Sequence, residues 1–435
     1  MLQLLQQTLA QFEGVEYLIR ETKTHRLECY NIKKQPEMKR EAQTTDITLV
    51  LYTVFEEKAP DGEMKKYRGS FSTEIHPATG EDALKKIIEE GVYAAGFVKN
   101  AYYPLVSPSD GSAPTVKPQN MPQVLNDLQA AFNATDIHQE GHVSYSEFFI
   151  TKTDRRILNS NGVDVSYTTY NAFIETAVHW KREGGEIEVG EAFRFSLDME
   201  NPAAFLKSRM EKLFTASRNK ALAQPTPGVG DINILISGEA LSTFFFYYKN
   251  RASTQMVYQQ LSTYKEGDQI QSGDGDKITL TLDPLMQGSQ NSAPYDDFGF
   301  PLTRHEIVKD GKLTKLWGDV RFSHYLNIPP TGVLPNLHVT GGTTTVEALR
   351  SAPYLELVSF SDFQADTITG DFGSEIRLGY YFDGEKTIPV TGGSISGNME
   401  KVHGSLKMTK TEEQHGGFLC PEMICIRGAS ISGVV

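Results

Sequence analysis

The chain has 435 residues, long enough for two or three domains at roughly 150 residues each. Its composition (39% hydrophobic, 22% charged, 10% aromatic) is that of a globular protein, and a formal net charge of -13 argues against a phosphate-binding surface spread over the molecule. Three cysteines, Cys29, Cys420 and Cys425, are too few for a disulfide framework and fit a reducing compartment.

The N-terminal stretch MLQLLQQTLAQFEGVEYLI has no cationic start and no unbroken apolar run, so it does not read as a signal peptide. Leu5, Leu9 and Phe12 recur at helical spacing and predict an amphipathic first helix. Residues 46–57 and 66–76, rich in β-branched and aromatic side chains, read as strands. Beyond Gly80, Leu84, Ile88 and Ala95 mark one face of a helix. Five prolines from Pro104 to Pro122 predict a long loop, followed by a short helix with Leu125, Leu128 and Phe132 inward. Strand patterning returns from Phe148 to Glu191, with a hairpin turn at Gly184-Gly185. Asn201-Pro202 starts a helix, with asparagine as the cap and proline in the first turn, and Leu206, Met210 and Leu213 form its buried stripe.

The segment AQPTPGVG, residues 223–230, reads as a domain boundary because four of its eight residues are proline or glycine. It divides the chain into a mixed N-terminal domain, 1–224, and a strand-rich C-terminal domain, 225–435, an α+β organisation. The most apolar later segment, INILISGEALSTFFFYY, is interrupted by Gly238 and Glu239 and is too short to span a bilayer. The rest alternates strands with D-G and G-G turns, without a period of the kind that marks solenoids or propellers. The expected location is the cytoplasm.

Several motifs resemble catalytic ones and fail on detail. His305-Glu306 opens the H-E-x-x-H zinc pattern, but the second histidine is replaced by Lys309, or by Asp310 in the wider spacing. Lys309-Asp310-Gly311-Lys312 reads as a hairpin, and on a strand His305 and Glu306 point to opposite faces. Asp297-Phe298-Gly299 and Asp371-Phe372-Gly373 have the form of a kinase metal-binding triad, without the catalytic loop or glycine-rich loop a kinase needs. GGSISG (392–397) and GASISG (428–433) lack the second glycine of a nucleophile elbow. GVGDIN lacks the later glycine and lysine of a phosphate loop, and SGDGDK (272–277) lacks the third ligand and closing glutamate of a calcium loop. In HGGFLCPEMIC the candidate metal ligands are His415, Cys420 and Cys425, spaced by five. A closed zinc site needs four ligands, and Pro421 with the alternation around Ile424 and Ile426 predicts instead a buried last strand. No catalytic or metal residue is assigned on these grounds.

Blocks of the second half do resemble one family in order and spacing. EGDQI (266–270), ITLTLDPL (278–285) and PYDDFGFPLTRHEIVKDGKL (294–313) are similar to three consecutive blocks of the TldD/PmbA family. LHVTGGTTTVEAL (337–349) and GSEIRLGYYFDGEKTIPVTGGSISGN (373–398) resemble later ones, and ILNSNGVDVSYTTYNAF (157–173) an earlier one. The resemblance covers most of residues 150–435. It implies one of two subunit types. The TldD type is a zinc metallopeptidase with H-E-x-x-x-H on a helix just after the domain boundary and a cysteine near the C-terminus. Here the equivalent stretch, 232–251, holds Glu239 but no histidine, and Phe244, Phe245, Phe246, Tyr247 and Tyr248 fill the helix.

The chain therefore resembles the PmbA (TldE) type. That resemblance implies a non-catalytic subunit with no cofactor of its own, zinc in a TldD-like partner, and unstructured peptides, including peptide-antibiotic precursors and antitoxins, as substrate. The family name modulator of DNA gyrase implies no gyrase contact, no nucleic acid is expected as a partner, and the isolated chain has a homodimer open to it. The substrate would lie along an exposed strand edge, where main-chain pairing accepts many sequences. The alternatives are a self-associating peptide-binding protein without a protease partner, or a peptidase with an unrecognised site.

Overall fold

In the computed structural model, which describes residues 1–58, 62–109, 113–230 and 232–433, the first half is built on one antiparallel sheet. Its strands are β1 (Glu16–Ile32), β2 (Gln35–Lys58), β3 (Met64–Glu74), β4 (Asn100–Ala101), β5 (Gly141–Asn159), β6 (Asp164–Arg182) and β7 (Gly185–Ser196), in the order β4-β3-β2-β1-β5-β6-β7. Helices α1 (Leu2–Leu9), α2 (Glu81–Ala95), α3 (Met121–Asn133) and α4 (Pro202–Ala221) complete this half. Side chains alternate across a strand. Phe148 and Ile150, Ala172 and Ile174, and Phe193 and Phe195 therefore share one face, buried with Leu125, Leu128 and Phe132 of α3 and Leu206, Met210 and Leu213 of α4. Leu5 and Leu9 of α1 and Leu84 and Ile88 of α2 bury against Ile19, Leu49 and Leu51 in the same manner.

The predicted helices form, although α1 ends at Leu9 and leaves Phe12 in the turn that follows. Asn201 caps α4 by accepting from the Ala204 amide at 3.0 Å, with Pro202 in the first turn. The proline-rich segment ends at Asn120, which accepts from Gln123 at 3.2 Å, because Pro122 already lies in α3's first turn. No strand is predicted at 16–32, yet β1 lies between β2 and β5. Its sequence is mostly polar because Leu18, Ile19 and Cys29 are the hydrophobic residues it buries fully.

In the second half the strands are β8 (Gln224–Pro225), β9 (Asn233–Ser237), β10 (Leu280–Asp283), β11 (His305–Lys309), β12 (Lys312–Leu313), β13 (Asn336–Val339), β14 (Tyr354–Phe360), β15 (Gln364–Ala365), β16 (Asp371–Phe382), β17 (Thr387–Thr391), β18 (Ser394–Asn398), β19 (Lys407–Met408), β20 (Glu412–His415), β21 (Phe418–Pro421), β22 (Met423–Ile426) and β23 (Ser430–Ser432). They make a six-stranded sheet, β12-β11-β10-β13-β21-β20, and a ten-stranded one whose main path is β19-β22-β9-β14-β16-β17-β8. Helix α5 (Ala240–Arg251) shares a core with both sheets. The architecture is α+β with two domains, as predicted. Among the described residues no helix is long and apolar enough to cross a membrane.

The hairpin read at Asp310-Gly311 is present: β11 and β12 pair antiparallel, and the two turn residues have φ of 49° and 74°. Two adjacent positive φ values suit an aspartate–glycine pair and few others. The 223–230 segment is more than a connector, since β8 pairs in parallel with β17. The cysteines near the C-terminus do not share the last strand. Cys420 lies on β21, Cys425 on β22 in the other sheet, and β23 comes after both.

Phe245 has no exposed surface, and its ring centre lies 5.2 Å from Phe244 and 6.3 Å from Phe418. Phe245→Ala should cost about 3–5 kcal/mol, the range for deleting a buried phenylalanine. A urea midpoint equal to that of the parent would contradict this packing.

Candidate functional site

A cleft of about 900 Å³ opens between the two halves. It is lined by residues 189–194 of β7, the Phe205–Lys220 side of α4, the junction of β9 with α5, β14 with its continuation to Phe363, and residues 413–416. β7 ends the seven-stranded sheet and β20 ends the six-stranded one. Two terminal strands therefore border one cleft, and terminal strands keep main-chain donors and acceptors unpaired on one side.

A charged clamp ties the two walls together. Arg209 Nη1 of α4 donates to Glu413 Oε1 of β20 at 2.6 Å, and its Nη2 donates to the Gln414 carbonyl. Lys212 Nζ reaches the same Glu413 oxygen at 2.6 Å. Burial opposes the charge on Glu413, but the Lys212 hydrogen bond and the nearby Arg209 and His415 prevail, holding its carboxyl below the usual range. His415, two residues on, shares that face of β20. Its Nε2 is buried without a hydrogen-bond partner, 3.8 Å from Glu413 Oε2. Burial lowers its pKa, Glu413 opposes the fall, and Arg209 and Lys212 reinforce it. The imidazole is neutral at neutral pH.

Across the cleft, burial pushes Glu191 of β7 up to about 7, and the carboxylate of Glu239 adds to the effect. Such a carboxyl is poised for proton transfer near neutrality. A nucleophile is harder to find. Ser237 Oγ donates to Glu356 Oε1 at 3.4 Å, and Glu356 is held by Arg350 through two bonds of 2.8 Å.

The residues singled out from sequence are dispersed. His305 lies on β11 and contacts Thr303 Oγ1 at 3.1 Å, outside the cleft lining. Asp296 Oδ1 accepts from the Phe298 and Phe300 amides at 2.9 and 3.0 Å, which makes the first D-F-G a turn. Asp297 reaches Arg155 of β5 at 3.1 Å, so this turn docks the second half onto the first. GGSISG and GASISG form β18 and β23 and pair with one another, Ser394 opposite Ser432. Cys420 is fully buried in the core around α5, whereas Cys425 belongs to a separate cluster with Leu235, Leu349, Tyr354 and Met423. Burial raises both thiols. Among the described residues His415 is not grouped with two further metal donors. Sequence reasoning missed Glu191, Arg209, Lys212 and Glu413, whose partners are remote in the chain.

Residues 229–433 match the family model of the PmbA/TldA metallopeptidase C-terminal domain. The C-terminal domain belongs to the TldD/PmbA family. An uncharacterised protein of Methanocaldococcus jannaschii is 24% identical over 302 residues, which are 62% of this chain and 65% of that relative's length. Solved structures share the fold across its whole extent. A protein of Thermotoga maritima bearing the name modulator of DNA gyrase has a TM-score of 0.77 at 14% identity, covering 99% of both chains. One of the same name from Bacteroides thetaiotaomicron has a TM-score of 0.77 at 17% identity, covering 100% of this chain and 98% of that one. TldE of Thermococcus kodakarensis gives 0.75 at 14%, covering 100% of both.

The TldD/PmbA family includes metallopeptidases, so the fit of a catalytic zinc to these residues is a fair question. Three protein ligands are the usual minimum. Here α5 presents Ser242 and Thr243 to the cleft and buries Phe244, Phe245, Tyr247 and Tyr248. His415 is the one imidazole in the cleft lining, and Cys420 is sealed in the core. The residues present do not fit the metal.

The raised pKa of Glu191 has a testable sign. Its carboxyl stays protonated in the folded chain up to about pH 7, while an ordinary glutamate ionises from 4.5. The cost to folding therefore builds as pH rises between those values and is complete above them. Relative to the parent, Glu191→Gln should gain stability at pH 8 but not at pH 4, by at most about 3 kcal/mol. Unfolding midpoints at the two pH values check it, and an equal effect at both would disprove the shift.

Proposed function

We propose that this chain is the non-catalytic, PmbA/TldE-like subunit of a cytoplasmic TldD-type zinc metallopeptidase complex that degrades or matures unstructured peptides. The observation that carries the reading is α5, a helix at the cleft with no imidazole and with its aromatic side chains committed to the core. The cleft lies alongside this helix. Bordered by β7 and β20, it suits an extended peptide that adds itself to a strand edge. Zinc, its activating glutamate and its bound water would belong to the TldD-like partner, while this chain walls the cavity and presents the peptide. The isolated chain would use the same surfaces to form a homodimer.

A second reading, a peptidase acting alone, draws on Glu191 and the neutral His415 in one cleft. Mixing the untagged chain with the organism's own H-E-x-x-x-H homologue separates the two. A stable assembly and chelator-sensitive cleavage of an unfolded peptide are expected only from the mixture. Chelator-insensitive cleavage by the pure chain would favour the second reading and end the first. His305→Ala, on β11 outside the cleft, should leave the turnover of the mixture unchanged within twofold. A large loss in a folded variant would return the His305-Glu306 pair to consideration.

A further inference from the structure

A different set of donors lies on the outward face of the N-terminal sheet. His142 of β5 is directly paired with His179 of β6, and His179 with Glu188 of β7, so the three form one cross-strand row. Glu186 precedes Glu188 by two residues and shares its face. Val178 and Trp180, the neighbours of His179, point the other way into the core under α3 and α4. One ligand atom each from His142, His179 and Glu186 lies within 4.8 Å of the others. The two imidazole centres are 5.5 Å apart. All three side chains are at least partly open to solvent.

The His179 ring sits between two carboxylates. Its Nε2 is 2.7 Å from Glu188 Oε2, and its Nδ1 is 3.5 Å from Glu186 Oε2. In a neutral ring the short contact places the proton on Nε2, which donates to Glu188. Nδ1 then turns a lone pair toward a carboxylate oxygen, with His142 alongside. Two acceptors facing each other repel unless a cation lies between them. Among the described residues neither Glu186 nor Glu188 forms an ion pair with lysine or arginine.

We propose that His142, His179 and Glu186 bind a first-row divalent transition-metal ion, zinc foremost, with Glu188 fixing the His179 tautomer. Two imidazoles and one carboxylate with a fourth position open to water are a zinc-type donor set, and imidazole disfavours calcium and magnesium. A carboxylate on the far nitrogen of a ligating histidine orients the ring and raises its basicity. Paired strands hold the ligands in place without ordering a loop, which keeps the entropic cost of binding low. This ion is separate from any catalytic zinc in a partner subunit, and the proposal does not rest on the peptidase reading. It departs from the sequence-based expectation that the chain has no cofactor of its own.

The test uses the full chain, purified without a histidine tag, stripped with chelator and titrated with zinc chloride by calorimetry and by competition with a chromophoric chelator. One zinc per chain is expected, weakened at least 100-fold by His142→Ala or His179→Ala and 10–100-fold by Glu188→Gln. His415→Ala, in the cleft, should bind zinc as the parent does. The substituted side chains are partly exposed, and unchanged unfolding midpoints of the metal-free variants confirm that they fold. With copper(II) as the probe, electron paramagnetic resonance should show nitrogen coordination in the parent and lose it in the doubly substituted chain. If the parent binds zinc no more tightly than the His142→Ala/His179→Ala chain, the proposal fails.

Discussion

A helix that buries eight of its twelve residues has to be enclosed, and α5 is the constraint around which the C-terminal domain is built. Phe244 meets Phe372 of β16 with ring centres 6.3 Å apart, while Phe246 meets Phe418 of β21 at 5.8 Å. One helix thus joins members of both sheets. Two of its cationic side chains bond to carbonyls within the same core. Lys249 Nζ donates to the Leu334 carbonyl at 3.1 Å, and burial brings its pKa down to about 8. Arg251 Nη1 donates to the Ile368 carbonyl at 3.0 Å. The consequence for chemistry is direct. A pair of imidazoles on this helix would have to replace side chains that hold two sheets together, so packing and metal binding compete for the same positions.

The cleft depends on how the halves are joined. The 296–299 turn carries Asp297 to Arg155 and Phe298 into a cluster with Leu18, Tyr52 and Ile157 of the N-terminal sheet. Burial pushes Asp296 up to about 6 even though three backbone amides favour its charged form. At another point Arg209 and Lys212 converge on Glu413. A largely buried ion pair is a weak source of net stability, because desolvation offsets the attraction, but its directional bonds fix geometry. With contacts at both places, the spacing between β7 and β20 is set, and the groove between the two strand edges is kept open.

Local features were legible in the sequence and long-range ones were not. α2, α3 and α4 could be read because Leu84 and Ile88, Leu125 and Leu128, and Leu206 and Met210 repeat at helical spacing. The Asp310-Gly311 hairpin could be read because positive φ at two successive residues restricts which residues fit. β1 was missed because a strand held by neighbours on both edges needs few apolar residues of its own. Arg209 and Glu413 are 204 residues apart, and nothing local to either signals the other. The look-alike serine motifs were rightly set aside, but that β18 and β23 pair with each other depends on register, which no window of sequence contains.

The histidines make the same point about metal chemistry. On a helix, ligands must recur at three or four residues, so a metal motif is visible as a spacing, and His305-Glu306 draws notice because it begins like one. Strand pairing obeys no such rule, because any two residues brought opposite each other by register can share an ion. His142 and His179 meet because β5 and β6 are joined by a turn at Ser160–Val163 and pair along almost their whole length, with a bulge between Val143 and Tyr145. Glu188 joins them because the Gly184-Gly185 turn sets β7 against β6. A shift of one residue in either pairing would turn one partner's side chains to the opposite face and disperse the group. The donors on the outward face are therefore a product of the same two hairpins that place Glu191 of β7 in the cleft.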